Sequence, residues 1–130
     1  MKIHLESGVG QHLIRAYALG VITINDTAHH RSLIVTPERV LPWPPVSFDD
    51  LLAVHFESIA AMQPEVVILG TGARLKFPAP RLIRSLVEAN IGLEVMDTGA
   101  ACRTYNILMS DGRRVAAALL MIEELEKGID

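Results

Sequence analysis

The run Val66-Val67-Ile68-Leu69 constrains this chain more than any other stretch. It is apolar at every position, so a strand built from it has no polar face to turn toward water. Such a strand must be covered on both sides, which calls for a layered α/β arrangement. The residues that follow continue a β-α-β-α-β pattern. Pro80 suits the first turn of a helix. Leu82, Ile83, Leu86 and Val87 form its expected buried stripe, and Asn90 and Gly92 close it. Residues 92–96, Gly-Leu-Glu-Val-Met, read as the next strand. Thr98 is expected to cap a further helix. That helix turns Ala101, Cys102, Tyr105, Leu108 and Met109 inward and ends at Asp111-Gly112. Residues 115–121 are ambiguous. Their alanines favour helix, but a two-residue break before another apolar run favours a buried returning strand, and strand is the reading adopted.

The first part of the chain has a different rhythm. Residues 12–25 alternate weakly, with a turn near Gly20 and another at Asn25-Asp26. Residues 31–36 then read as a third, β-branched strand, giving a small antiparallel meander or pair of hairpins. Pro42, Pro44 and Pro45 end this region, since they exclude helix and a central strand. Ser47 is the expected N-cap of a helix with Asp49 and Asp50 in its first turn. Leu52, His55, Phe56, Ile59 and Ala60 share one face of it, and Pro64 stops it. The expected fold is α/β and three-layered, with a mixed, mostly parallel sheet and extra N-terminal antiparallel strands. The 130 residues are read as one domain, 1–130.

Composition excludes several function classes. The longest apolar run, residues 115–122, is far short of the roughly 20 residues that a membrane-spanning helix needs. Residues 1–10 lack the apolar stretch of a secretory leader. Cys102 is the only cysteine, so no intrachain disulfide can form, which fits a reducing, cytoplasmic setting. Net charge is −3 and the last residues are acidic, so no nucleic-acid footprint is expected. Hydrophobic residues make up 50% of the chain. With so little net charge to keep copies apart, apolar surface is expected to meet a protein partner or a second copy in a homo-oligomer.

The segments Pro64-Glu-Val-Val-Ile-Leu-Gly-Thr-Gly72, Phe77-Pro78, the run from Gly92 to Leu108, and Asp111 to Leu120 together resemble a family of unknown function. That family includes the mitochondrial assembly factor 3 of NADH:ubiquinone oxidoreductase, respiratory complex I. The resemblance covers most of the chain and is densest from residue 64 to 120. It implies a three-layer α/β fold with a mixed sheet, a strand at residues 115–121, and a non-enzymatic interaction or assembly role. It implies no catalytic residues.

The loop Gly70-Thr71-Gly72 is the first candidate site. A dinucleotide fingerprint needs a third glycine and a helix that starts at once, so that its N-terminus faces the pyrophosphate. Leu75 stands where that glycine belongs, and the helix waits until residues 78–80. The Gly-Lys-Ser/Thr of a phosphate-binding loop is also absent. The glycines could simply turn the chain off a buried strand.

A crevice is the other reading. A right-handed crossover from residues 66–69 to 93–96 makes two parallel strands, whose carboxyl ends lie on the same side. Gly70, Thr71, Gly72, Asp97 and Thr98 are therefore expected as neighbours bordering a concave site. Gly99 is expected to help leave that end open. Arg74, Lys76 and Arg103 would bias the site toward a small anion. The alternative is a solvated loop whose charges pair with Asp97.

Other candidates point to structure. Cys102 lies near a helix start, where a dipole can acidify a thiol, but it falls on the apolar stripe and no histidine is spaced to serve it. His4, His12, His29, His30 and His55 show no metal spacing. No metal or cofactor is expected. Trp43 reads as a lid over one end of the core, with a docking knob as the alternative. Tyr105 belongs to the core, and Asn106 beside it could bond a neighbouring loop.

Overall fold

The structure, a computed structural model, describes residues 11–123. The leader reading of residues 1–10, His4 with it, and the acidic tail beyond Glu123 fall outside the described residues.

Strands β1 (Ile14–Ala18), β2 (Val21–Ile24) and β3 (Thr27–His29) form an antiparallel sheet in the order β1-β2-β3. The turn after β2 places Asn25 in the left-handed region, at φ 53°, which asparagine tolerates. A second sheet contains β4 (Leu33–Val35), β5 (Val40–Pro42), β6 (Val66–Gly70), β7 (Gly92–Met96) and β8 (Val115–Leu119), in the order β5-β4-β8-β6-β7. Strand β6 pairs in parallel with both β7 and β8, whereas β4 is antiparallel to β5 and β8. Four strands thus run one way and β4 alone runs the other.

Burial explains why β6 and β8 carry no polar residue. Val66, Ile68, Val115, Ala117 and Leu119 face one core with Ile14, Ile22, Ala101, Cys102 and Tyr105. Val67, Leu69, Ala116, Ala118 and Leu120 face the other with Trp43, Phe56, Ile59 and Leu86. Helix α3 (Thr98–Ser110) and the small sheet cover the first face. Helices α1 (Ala53–Ala60) and α2 (Arg84–Glu88) cover the second. The returning strand expected at residues 115–121 is β8.

Local departures from the sequence reading have physical causes. Residues 33–35 do not complete the meander. All three are buried, so the strand needs cover on both faces and joins the large sheet; β3 takes its place in the small one. The helix expected from Ser47 is split. Ser47 instead opens a 3₁₀ turn, Phe48–Asp50, and donates its N–H to Asp50 Oδ2 at 3.1 Å. The chain then extends so that Leu51 enters the core, and α1 starts at Ala53. Leu52 is left exposed, and its N–H donates to His55 Nδ1 at 2.9 Å.

Pro80 also begins a 3₁₀ turn, Pro80–Ile83, before the short α2. The change of helical phase at Ile83 rotates Val87 to solvent, so the expected stripe reduces to buried Leu86 with partly buried Leu82 and Ile83. Asn90 closes this segment at φ 58°. Asp97, rather than Thr98, is the N-cap of α3, its Oδ1 accepting from Ala100 N at 2.9 Å.

Candidate functional site

The loops after β6 and β7 meet at one end of the sheet, as the parallel crossover requires. Thr71 N–H donates to Met96 O at 3.0 Å, and Thr98 N–H donates to Gly72 O at 2.9 Å. The Thr98 hydroxyl, fully buried, joins three segments. It accepts from Gly72 N at 2.8 Å and donates to Leu120 O at 2.7 Å. Its place as the first residue of α3 sets it directly over the end of β6. The Thr71 hydroxyl is equally engaged. It donates to Arg74 O at 2.6 Å and accepts from Lys76 N at 3.2 Å, folding the loop back on itself.

The interior of this corner is packed rather than open. A Cβ on Gly70 would lie 2.9 Å from Thr98 Oγ1, 3.0 Å from Leu119 Cδ2 and 3.1 Å from Ala101 Cβ. The glycine is there because the first turn of α3 presses onto the strand. On Gly99 a Cβ would lie 3.0 Å from the Tyr17 ring. Gly70→Ala is therefore expected to cost about 2 kcal/mol through overpacking, read as a lowered urea midpoint with an unchanged slope. A midpoint equal to that of the parent would show that α3 can move away freely.

The charged candidates sit outside this packed centre. Arg74 and Lys76 are exposed, and Lys76 Nζ lies 5.7 Å from the centroid of the Phe48 ring. Arg103 is exposed as well; its guanidinium donates to the Tyr17 hydroxyl and lies over that ring. Asp97 is used as a helix cap and forms no ion pair among the described residues. The alternative reading, in which the loop cations pair with Asp97, finds no such ion pair among the described residues. The Glu123 carboxylate also approaches the loop; its Oε1 is 3.0 Å from where a Gly72 Cβ would stand.

Cys102 is 1% exposed, and burial pushes its thiol up to about 12. A thiolate is disfavoured there at neutral pH. Among the described histidines, His12 Nδ1–H donates to Thr36 O, His30 Nδ1–H donates to Gly20 O, and His55 Nδ1 accepts from Leu52 N. No group of three or more possible metal ligands occurs among the described residues. No helix among them is long and apolar enough to cross a membrane.

Trp43 is buried and donates from Nε1 to His55 O at 3.2 Å, packing edge-on against Phe56 as a lid does. Asn106 accepts from Ile14 N and donates to Ile14 O, which fastens β1 to α3. Tyr17 is the neighbour of the site that sequence reading missed. It reaches Arg103 across 86 positions, and no local pattern signals such a contact. At the far edge of the sheet, a cleft of about 420 Å³ is lined by residues 28–33 and 40–42. The buried Ser32 hydroxyl on its wall has no hydrogen-bond partner among the described residues.

The profile of a family described as "protein of unknown function (DUF498/DUF598)" matches residues 14–120. The chain belongs to that family. The DUF498/DUF598 match takes in both sheets and the three α-helices of the described residues. Among its relatives is NADH dehydrogenase (ubiquinone) 1 alpha subcomplex assembly factor 3 of Bos taurus, 30% identical over 109 residues. That alignment covers 82% of this chain but 59% of the bovine protein. An uncharacterised protein of Rhodobacter capsulatus is 36% identical over 107 residues, covering 82% of each chain. A crystal structure from Bordetella parapertussis superposes with a TM-score of 0.82 at 38% identity, covering 87% of this chain and 98% of that one. The family resemblance read from the sequence and the mixed α/β architecture are both borne out.

Proposed function

We propose that this DUF498/DUF598 protein is a non-enzymatic interaction module of the assembly type, which binds a protein partner. The observation that carries the reading is its kinship with a protein named as an assembly factor of NADH dehydrogenase. Two structural features support it. The hydroxyls of the strand-end corner are spent on internal hydrogen bonds, and the thiol is buried. At the surface, Val46, Leu75 and Phe77 are 79%, 50% and 71% exposed, and the Lys76–Phe48 contact sets their two segments side by side. A partner protein is the first choice of occupant, and a second copy is the other. The lone buried cysteine supports a cytoplasmic setting.

A second reading keeps Gly70, Thr71, Gly72, Arg74, Lys76, Asp97, Thr98 and Arg103 as a small-anion site. The exposed Arg74, Lys76 and Arg103 beside the two strand ends favour it, since they supply the positive charge that an anion needs. One experiment separates the two. Tagged protein and its Phe77→Ser variant are captured from native cells, and the eluates are analysed by mass spectrometry for proteins and metabolites. A stoichiometric protein that is lost or reduced at least about tenfold with Phe77→Ser is the expected result. A retained anionic metabolite with no protein would move the assignment to the second reading.

A further inference from the structure

Strand β7 is one edge of the five-stranded sheet. Its hydrogen bonds fix which of its backbone groups are free. Gly92 N–H donates to Glu65 O, and Met96 O accepts from Thr71 N. In a parallel ladder these bonds turn Gly92, Glu94 and Met96 toward β6, and the alternate residues turn away. The N–H and C=O groups of Leu93 and Val95 therefore point outward, with no strand beside them among the described residues. The Leu93 and Val95 side chains pack onto the core under α2. The Glu94 side chain lies exposed on the opposite face.

We propose that the β7 edge docks an extended segment of a partner protein, paired antiparallel, with a lysine or arginine facing Glu94. This rests on the interaction-module reading and adds to it a second contact surface, apart from the apolar one at Val46, Leu75 and Phe77. A second copy is the obvious competitor, because strand addition between identical edges needs only a two-fold axis. The register that satisfies every outward group on both copies pairs Leu93 with Val95 of the other copy. It also sets Glu94 directly across from Glu94, in the close, non-hydrogen-bonded pair with Cα atoms about 4.5 Å apart. Like charges so placed repel, a device by which exposed edges avoid self-pairing. The same carboxylate attracts a strand with a basic residue at that position. The edge thus accepts by its backbone and selects by one charge.

The protein can serve as its own probe. Isotope-labelled wild type is mixed with unlabelled Glu94→Lys protein, and the amide resonances of β7 are followed by NMR. Residue 94 is exposed, so the variant is expected to fold, which its spectrum checks. Each protein alone faces like charge across the two-fold. The mixture sets Glu94 opposite the introduced lysine. Leu93 and Val95 amides should shift on mixing, with a dissociation constant at least about tenfold tighter than for either protein alone. Mixing with Glu94→Gln in place of wild type should weaken the pairing. No shift at β7 in the mixture, or wild type pairing with itself as tightly as with the variant, would overturn the proposal. So would a captured native partner that Glu94→Lys retains at full yield. Failure to capture any partner would instead count against the interaction-module reading, because the mixing experiment does not depend on one.

Discussion

Thr98→Val should lower the stability of the protein by about 3 to 4 kcal/mol. The substitution keeps shape and volume nearly constant, so the loss isolates the hydroxyl. That hydroxyl accepts from Gly72 N–H and donates to Leu120 O inside a fully buried corner. Valine leaves both backbone groups without a partner, and each stranded group costs about 1–3 kcal/mol of desolvation. Water cannot readily replace it, because Ala101 and Leu119 close around Gly70. The loss should appear as a lowered urea midpoint, and it should localise. Hydrogen exchange at Gly72 and Leu120 should speed up more than at β4. Thr98→Ser keeps the hydroxyl and should recover most of the stability. If Thr98→Val unfolds at the parent midpoint, the bridge contributes nothing net, and the corner is held by packing alone.

The second large effect is alkaline. Burial raises the Cys102 thiol from its ordinary value of 9.0 to about 12. Tyr105 is also raised, again chiefly by burial. Above pH 9 the unfolded chain releases the thiol proton while the folded chain keeps it. Folding therefore becomes less favourable as pH rises. The contribution is fully present below pH 9 and is lost progressively as pH climbs toward 12. Each pH unit in that window is worth about 1.4 kcal/mol, so pH 10.5 should remove about 2 kcal/mol through Cys102. Urea unfolding at pH 7.5 and 10.5, in parent and Cys102→Ala, measures it. The variant should lose about 2 kcal/mol less than the parent between the two pH values, whatever its starting stability. Equal losses would mean that the folded thiol ionises as an exposed one does. The same burial makes reaction with thiol reagents at neutral pH slower than that of a free thiol, since it waits on opening of the structure.

The architecture follows from local pattern wherever one physical requirement dominates. A strand with no polar face must be buried on both sides, and residues 66–69 and 115–119 could satisfy that only between two layers. The parallel crossover then forces the loops at 70–72 and 97–98 together, because two parallel strands end on the same side. Inward residues of α3 were legible for the same reason: a long helix against one surface keeps its period. Short elements were not legible. Ser47 and Pro80 are good helix starters, but each opens a 3₁₀ turn, because Leu51 must reach the core and α2 must fit beside α1. Both are demands set by distant residues. The three residues of β4 are too few to show a period, so their place beside β8, where both faces are covered, was not legible.

The candidate site divides along the same line. Its residues were found from sequence because glycines and hydroxyls at strand ends are a local signal. Their use was decided by tertiary packing. Gly70 makes room for α3, Asp97 caps that helix, and Tyr17 arrives from another sheet. The free groups of β7 belong to the same class. Which backbone bonds are left over depends on which strand lies at the edge, and strand order is a property of the whole sheet. Sequence by itself determined which segments had to be inside and which way the parallel strands run, since hydrophobic burial and chain connectivity act segment by segment. Only the tertiary structure decided which polar groups are spent internally and which remain to bind, because a hydrogen bond between Gly72 and Thr98, or between Tyr17 and Arg103, exists only once the layers have closed.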